Sequence, residues 1–164
     1  MYKDELVGLS KAGVKYLTIG GIALGLHGYP RATFDLDIMP ELSEDNLDKI
    51  IVALQGLGYI PRIPVDVREL KDPQKRELWH VEKNMQVFSF IKPQELSSIV
   101  DMMIYHPLPF DACFERRQNV YIEGVPIYIA SLEDLLKLKM KANREKDKSD
   151  IAILERMLER RRDD

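Results

Sequence analysis

Asp35 and Asp37 stand in the apolar run "FDLDIM" (34–39). Fourteen residues before Asp35 is Gly21, the second of a Gly20-Gly21 pair that closes the apolar run "YLTIG". In an extended strand alternate residues share a face, so the two carboxylates point the same way, about 7 Å apart. Phe34, Leu36 and Ile38 then point to the other face and are expected to pack into the core. Two anionic side chains at that spacing can converge on one divalent cation, and without one they repel each other. Asp-x-Asp alone does not name a reaction, because glycosyltransferases and calcium loops use it too. Two solvated aspartates on a half-exposed strand satisfy the same pattern.

Asp101 interrupts another apolar run, "SIVDMMIY". A charge there is costly unless it is exposed or paired. It is either a strand-end acid bridged to a lysine or arginine, or, if its strand lies beside "FDLDIM", a third ligand. Three carboxylates on two strands match a hard-cation site of the kind used in phosphoryl transfer. Glycines between a strand and a helix let backbone N–H groups approach an anion closely, and the helix start adds the positive end of its dipole. A strand–turn–helix–strand connection of this length places phosphate donors and carboxylates at the same sheet edge.

The elements that must position these groups are legible in outline. Residues 3–13 read as a helix with Leu6 and Leu9 on one face, 16–20 as a strand and 21–28 as a short buried helix. Ser43 is an N-cap for a helix whose Leu47, Ile50, Ile51 and Leu54 follow the i, i+3, i+4, i+7 rule, ended by Gly56 and Gly58. "YIPRI" is a third strand, 66–84 helix and loop, 85–91 and 97–105 strands, and 120–129 a hairpin turning at Glu123-Gly124. Ser131 with Asp134 resembles a capping box that opens a helix. A last helix runs from about Lys146, with Ile151, Leu154 and Leu158 buried. The expected fold is α/β (α+β): a mixed sheet flanked by helices in one domain over 1–164, with a core of about 14–130 and C-terminal helices over about 131–162.

With 164 residues and 45% hydrophobic content, the chain can bury a real core. No run is long enough for a membrane span, and the N-terminus lacks the apolar stretch of a signal peptide, so a cytoplasmic location is the expectation. The single Cys113 excludes an internal disulfide and a cysteine zinc site, and reads as a buried thiol. A net charge of −3 argues against non-specific DNA binding but leaves room for a local basic site in "KLKMKANREKDKSD".

Taken together, "IGGIALGLHGYPRATFDLDIM" and the later Asp101 resemble the nucleotidyltransferase superfamily, the polymerase-β-like fold. Its pattern is a strand, Gly-Gly or Gly-Ser, a short helix, Asp-hydrophobic-Asp/Glu and a third acid on a later strand. The form "GG.A...HG..R.T.DLD" and the tail "SLEDLLKLKMKANREKDKSDIAIL" are similar to small standalone members, including the nucleotidyltransferase toxins of abortive-infection toxin–antitoxin systems. The resemblance implies that Gly20 and Gly21 cradle the triphosphate of a nucleoside triphosphate. Asp35, Asp37 and Asp101 would hold Mg²⁺ (or Mn²⁺), with Asp101 also helping to deprotonate the acceptor hydroxyl. Arg31 or Thr33 would contact phosphate or order the loop, and Lys139 and Arg144 would neutralise charge. Many active members carry Ser where this chain has Gly21.

The implied activity is transfer of a nucleoside monophosphate, with release of pyrophosphate, to an RNA 3′ end (tRNA among them), a protein hydroxyl or a small molecule. The alternatives are a catalytically idle nucleotide-binding or toxin–antitoxin partner module with a cognate toxin or antitoxin, and a metal-dependent glycosyltransferase or phosphatase. His27 either touches the site or caps its helix, His106 belongs to a loop, and Trp79 and Tyr105 either stack a base or pack. The arginines at 160–162 form a solvated tail.

Overall fold

A computed structural model describes residues 1–164. Helix α1 (Lys3–Lys11) leads into β1 (Tyr16–Ile19), α2 (Gly20–Leu26) and β2 (Asp35–Pro40). Then come α3 (Glu44–Gly56), the two-residue β3 (Ile60–Pro61), α4 (Pro73–Lys83), β4 (Val87–Lys92) and β5 (Glu95–Met103). The chain closes with α5 (Phe110–Glu115), β6 (Gln118–Ile122), β7 (Val125–Ile129), α6 (Leu132–Ala142) and α7 (Lys148–Asp163). The seven strands form one mixed sheet in the order β3-β4-β5-β2-β1-β7-β6. No helix is long and apolar enough to cross a membrane.

Local chemistry sets the helix boundaries. Ser43 Oγ accepts the Asn46 N–H at the start of α3, and Asp72 accepts from Gln74 at the start of α4, whose first residue is Pro73. Ser131 Oγ accepts the Asp134 N–H as expected for α6, but the Asp134 carboxylate does not close a capping box. It is fully buried and takes both Nε and Nη2 of Arg116, at 3.0 and 2.9 Å, which docks α5 against α6.

Sheet alternation builds two unequal layers. Tyr16, Leu36, Ile38, Phe88, Phe90, Val100 and Met102 share a core with Leu6 and Leu9 of α1, Leu47, Ile50 and Leu54 of α3, and Trp79 of α4. On the other face Leu17, Met39 and Ile129 pack with Leu24 of α2, Phe110 of α5, Leu135 of α6 and Leu154 of α7. That second layer leaves the start of β2 and the neighbouring parts of β5 and β4 open to a cleft.

Two further differences from the sequence reading stand out. Phe34 does not join Leu36 and Ile38 in the core but is 78% exposed, because β2 begins only at Asp35 and Phe34 precedes the pleat. The short helix α5 was not foreseen, since six residues held by Phe110 and Cys113 present too little periodicity to read. The contrast within β2 is measurable. Leu36→Ala should lower unfolding free energy by about 2–5 kcal/mol in urea denaturation. Phe34→Ala should change it by less than about 0.5 kcal/mol.

Candidate active site

Strand register assembles the acids. Strand β2 pairs antiparallel with β1, setting Asp37 opposite Ile19, and parallel with β5, setting Asp37 opposite Asp101 and Asp35 opposite Ile99. All three carboxylates therefore lie on the open face, and the strand of Asp101 does lie beside "FDLDIM", the condition on which the sequence made it a third ligand. As the side chains lie, they do not form a ready-made cage for an ion. Asp101 Oδ1 instead accepts a 2.5 Å hydrogen bond from Ser89 Oγ of β4, its cross-strand partner.

The crowding has an electrostatic consequence. Burial, then repulsion from Asp101 and Asp35, pushes the Asp37 carboxyl up to about 7, against the attraction of Lys139 and Arg144. Burial also raises Asp101, opposed by the Ser89 hydrogen bond. An all-oxygen set of three acids on adjacent strands, with one unable to ionise fully at neutral pH, suits a hard divalent cation by donor chemistry and by charge.

The glycine pair touches this set directly. Gly20 has φ +69°, and a Cβ there would overlap Asp37 Oδ2, so only glycine fits between the end of β1 and the carboxylate. A Cβ at Gly21 would lie 2.8 Å from both Cβ and Oγ1 of Thr33 and 3.3 Å from Arg31 Cζ. The loop before β2 thus folds back over the turn, and the Thr33 hydroxyl occupies the place of a side chain at position 21.

The facing wall is cationic, and buried acids hold it. Lys139 Nζ of α6 lies 3.1 Å from Asp147 Oδ1 and 3.2 Å from Asp150 Oδ2. Arg144 Nε reaches Asp147 Oδ2 at 2.7 Å, and Arg31 Nη2 reaches Asp150 Oδ2 at 2.9 Å. Burial alone would raise the Asp147 carboxyl, but hydrogen bonds from Arg144 and Lys139 outweigh it and hold the group below its usual range. The three cations are therefore anchored by two buried acids while still lining the cleft.

The acids, glycines and cations assigned to the site from the sequence all border one cleft of about 910 Å³. The Gly20-Gly21 turn with Thr33, the three acids, and the cations Arg31, Lys139 and Arg144 all line it. Tyr105 also borders it, stacked on His80 with ring centroids 4.0 Å apart, whereas Trp79 is core. His27 does not border it; its Nε2 bonds Ala130 O at 2.8 Å and ties the end of α2 to the link between β7 and α6. His106 Nε2 likewise bonds Pro40 O, at 2.6 Å. Ser89 was missed. Its only sequence signal is alternation with the buried Phe88 and Phe90, which puts it on the face of Asp101.

No family model and no curated protein sequence matches the chain. Solved structures do. A protein of Thermotoga maritima, provisionally described as a nucleotidyltransferase, superposes with a TM-score of 0.56 at 14% identity, covering 97% of this chain and 93% of that one. ANT(2″)-Ia in complex with adenylyl-2″-tobramycin gives 0.61 at 14% identity, over 94% and 86%. The solution structure of the antibiotic-resistance factor ANT(2″)-Ia gives 0.59 at 12% identity, over 94% and 80%. The chain has the nucleotidyltransferase fold.

The raised Asp37 carboxyl predicts a pH signature in metal-free protein. The folded state holds this proton more tightly than the unfolded chain, whose value is 3.8, so stability falls as pH rises from about 4 to about 7. In EDTA, Asp37→Asn should melt at a higher temperature than wild type near pH 8. The difference should vanish near pH 4.

Proposed function

We propose that the chain is a divalent-metal-dependent nucleotidyltransferase, moving a nucleoside monophosphate from a nucleoside triphosphate to a hydroxyl acceptor. The observation that carries this reading is the juxtaposition at Asp37: opposite Asp101, against Gly20, and within electrostatic reach of anchored cations. One surface offers close backbone approach for phosphates, an acidic floor, and cations for a leaving pyrophosphate. The cleft also has the volume of a small-molecule site.

Asp35, Asp37 and Asp101 would hold Mg²⁺ or Mn²⁺, which when bound neutralises phosphate charge and polarises the reacting phosphoryl group. The Gly20-Gly21 turn and Arg31 bind the triphosphate, with Thr33 ordering the loop over it. The acceptor oxygen attacks the α-phosphorus in line, the bond to the bridging oxygen breaks, and pyrophosphate leaves toward Lys139 and Arg144. The acceptor's proton passes to the Asp101 carboxylate. The cations Arg31, Lys139 and Arg144 enter the step already oriented by Asp147 and Asp150, which limits the reorganisation the reaction requires.

The acceptor classes are an RNA 3′ end, tRNA included, a protein hydroxyl and a small molecule. The test supplies each α-labelled nucleoside triphosphate with Mg²⁺ and, in turn, total tRNA, a protein extract and an aminoglycoside. Label should move to one acceptor class, and Asp37→Asn should slow transfer by about 100-fold or more. Nucleotide binding without transfer to any class would favour the idle-module reading. Unaltered transfer in Asp37→Asn would sink the assignment of this cleft.

A further inference from the structure

Tyr2 lies in no motif, yet its hydroxyl reaches the two strands that carry the acids. The residue is buried, and its own backbone is in the left-handed region at φ +59°. A phenylalanine or leucine would fill such a core position without bringing a polar atom into it. Here the hydroxyl donates to the Phe34 carbonyl and accepts the Ile99 N–H at 3.0 Å. Phe34 directly precedes Asp35, and Ile99 sits opposite Asp35, two residues before Asp101.

In a parallel pair with Asp35 opposite Ile99, the Phe34 carbonyl and the Ile99 amide are the groups the two strands present to each other. The Tyr2 hydroxyl bridges them at the end of the pairing. It therefore bears on two quantities at once: the separation of β2 from β5 at Asp35, and the orientation of the Phe34–Asp35 peptide. Both determine where the Asp35 carboxylate stands relative to Asp37 and Asp101. Burial is the first cause that raises the Tyr2 phenol, with Asp35 and Asp101 adding to it, so the hydroxyl keeps its proton and remains a donor.

We propose that Tyr2 is a positioning residue for the carboxylate site: its hydroxyl, lodged between Phe34 and Ile99, sets the strand spacing that lets Asp35 act with Asp37 and Asp101. The role rests on the reading of these acids as the holders of a divalent cation. Loss of the hydroxyl leaves the Phe34 carbonyl and the Ile99 amide free to pair directly, so the fold survives. The strands close, and Asp35 is drawn toward β5, out of its present place relative to Asp37 and Asp101. The change is read at the cation and not in global stability.

The experiment titrates wild type, Tyr2→Phe and Asp35→Asn with Mn²⁺ alone, following the free-ion signal by electron paramagnetic resonance. Circular dichroism and thermal melts run in parallel. Wild type should bind, Asp35→Asn should lose most of that affinity, and Tyr2→Phe should bind about tenfold more weakly while remaining fully folded. Wild-type affinity in Tyr2→Phe overturns the positioning role and leaves the metal reading standing. Absence of binding by wild type overturns the metal reading itself, and the positioning role with it. If Tyr2→Phe melts below the assay temperature, the hydroxyl is a stability element and the proposal fails.

Discussion

Parallel pairing of β2 with β5 places Asp37 opposite Asp101, with Asp35 two residues away on the same face. This arrangement opposes folding, because burial and mutual repulsion both act against ionising Asp37. A sheet selected for stability alone would carry apolar residues here, as the other face of the same strands does with Leu36, Ile38, Val100 and Met102. The remaining features around the acids make that conflict tolerable. Ser89 donates to Asp101, Gly20 gives Asp37 room, and Lys139 and Arg144 attract it across the cleft. A local conflict surrounded by partial compensation is the usual mark of a site kept for what it binds.

The cationic wall follows a complementary logic. Lys139 is 15% exposed and would be costly in that position without a partner. Asp147 and Asp150, at 2% and 3% exposure, provide one, and they also fix Arg144 and Arg31. Buried acids thus hold cations that share one open cleft with the half-buried acids of the sheet. A polyphosphate with its cation placed in that space meets opposite charge on both sides. The three cations come from α6, from the turn after it and from the loop before β2, yet two aspartates at the start of the C-terminal helix region bring them together. Long side chains held in this way lose little further freedom on meeting an anion.

Much of this was legible because it depends on local pattern. Alternation in "FDLDIM" put both acids on one face, the i, i+3, i+4, i+7 pattern placed α3, and Ser43 and Ser131 marked helix starts. Asp101 was legible as an acid out of place in an apolar run, and only the strand order turned it into the neighbour of Asp37. What stayed hidden depends on contacts distant in sequence. Tyr2 bonds residues 32 and 97 positions away, and Ser89 acts through a cross-strand partner 12 positions on. Phe34 failed for a different reason: alternation says which face a residue takes only once the strand has begun, and pattern places strand ends poorly.

Gly21 departs from the Gly-Ser form found in many proteins that the sequence resembles, and the structure gives that departure a physical meaning. The volume a serine side chain would need is filled by Thr33, whose Oγ1 lies 2.8 Å from where a Cβ at 21 would stand. A side chain at 21 and Thr33 in its present place exclude each other, so the two positions form a single choice. The turn keeps a hydroxyl beside it, supplied from the loop before β2 and not from the turn itself. Because Thr33 is only two residues from Asp35, the placement of that hydroxyl and of the first acid are linked through one short segment of backbone. The same segment includes Phe34, whose carbonyl Tyr2 holds. The glycine turn and the acids of the cleft therefore share one mechanical anchor at residues 33–35, and a change there is felt by both.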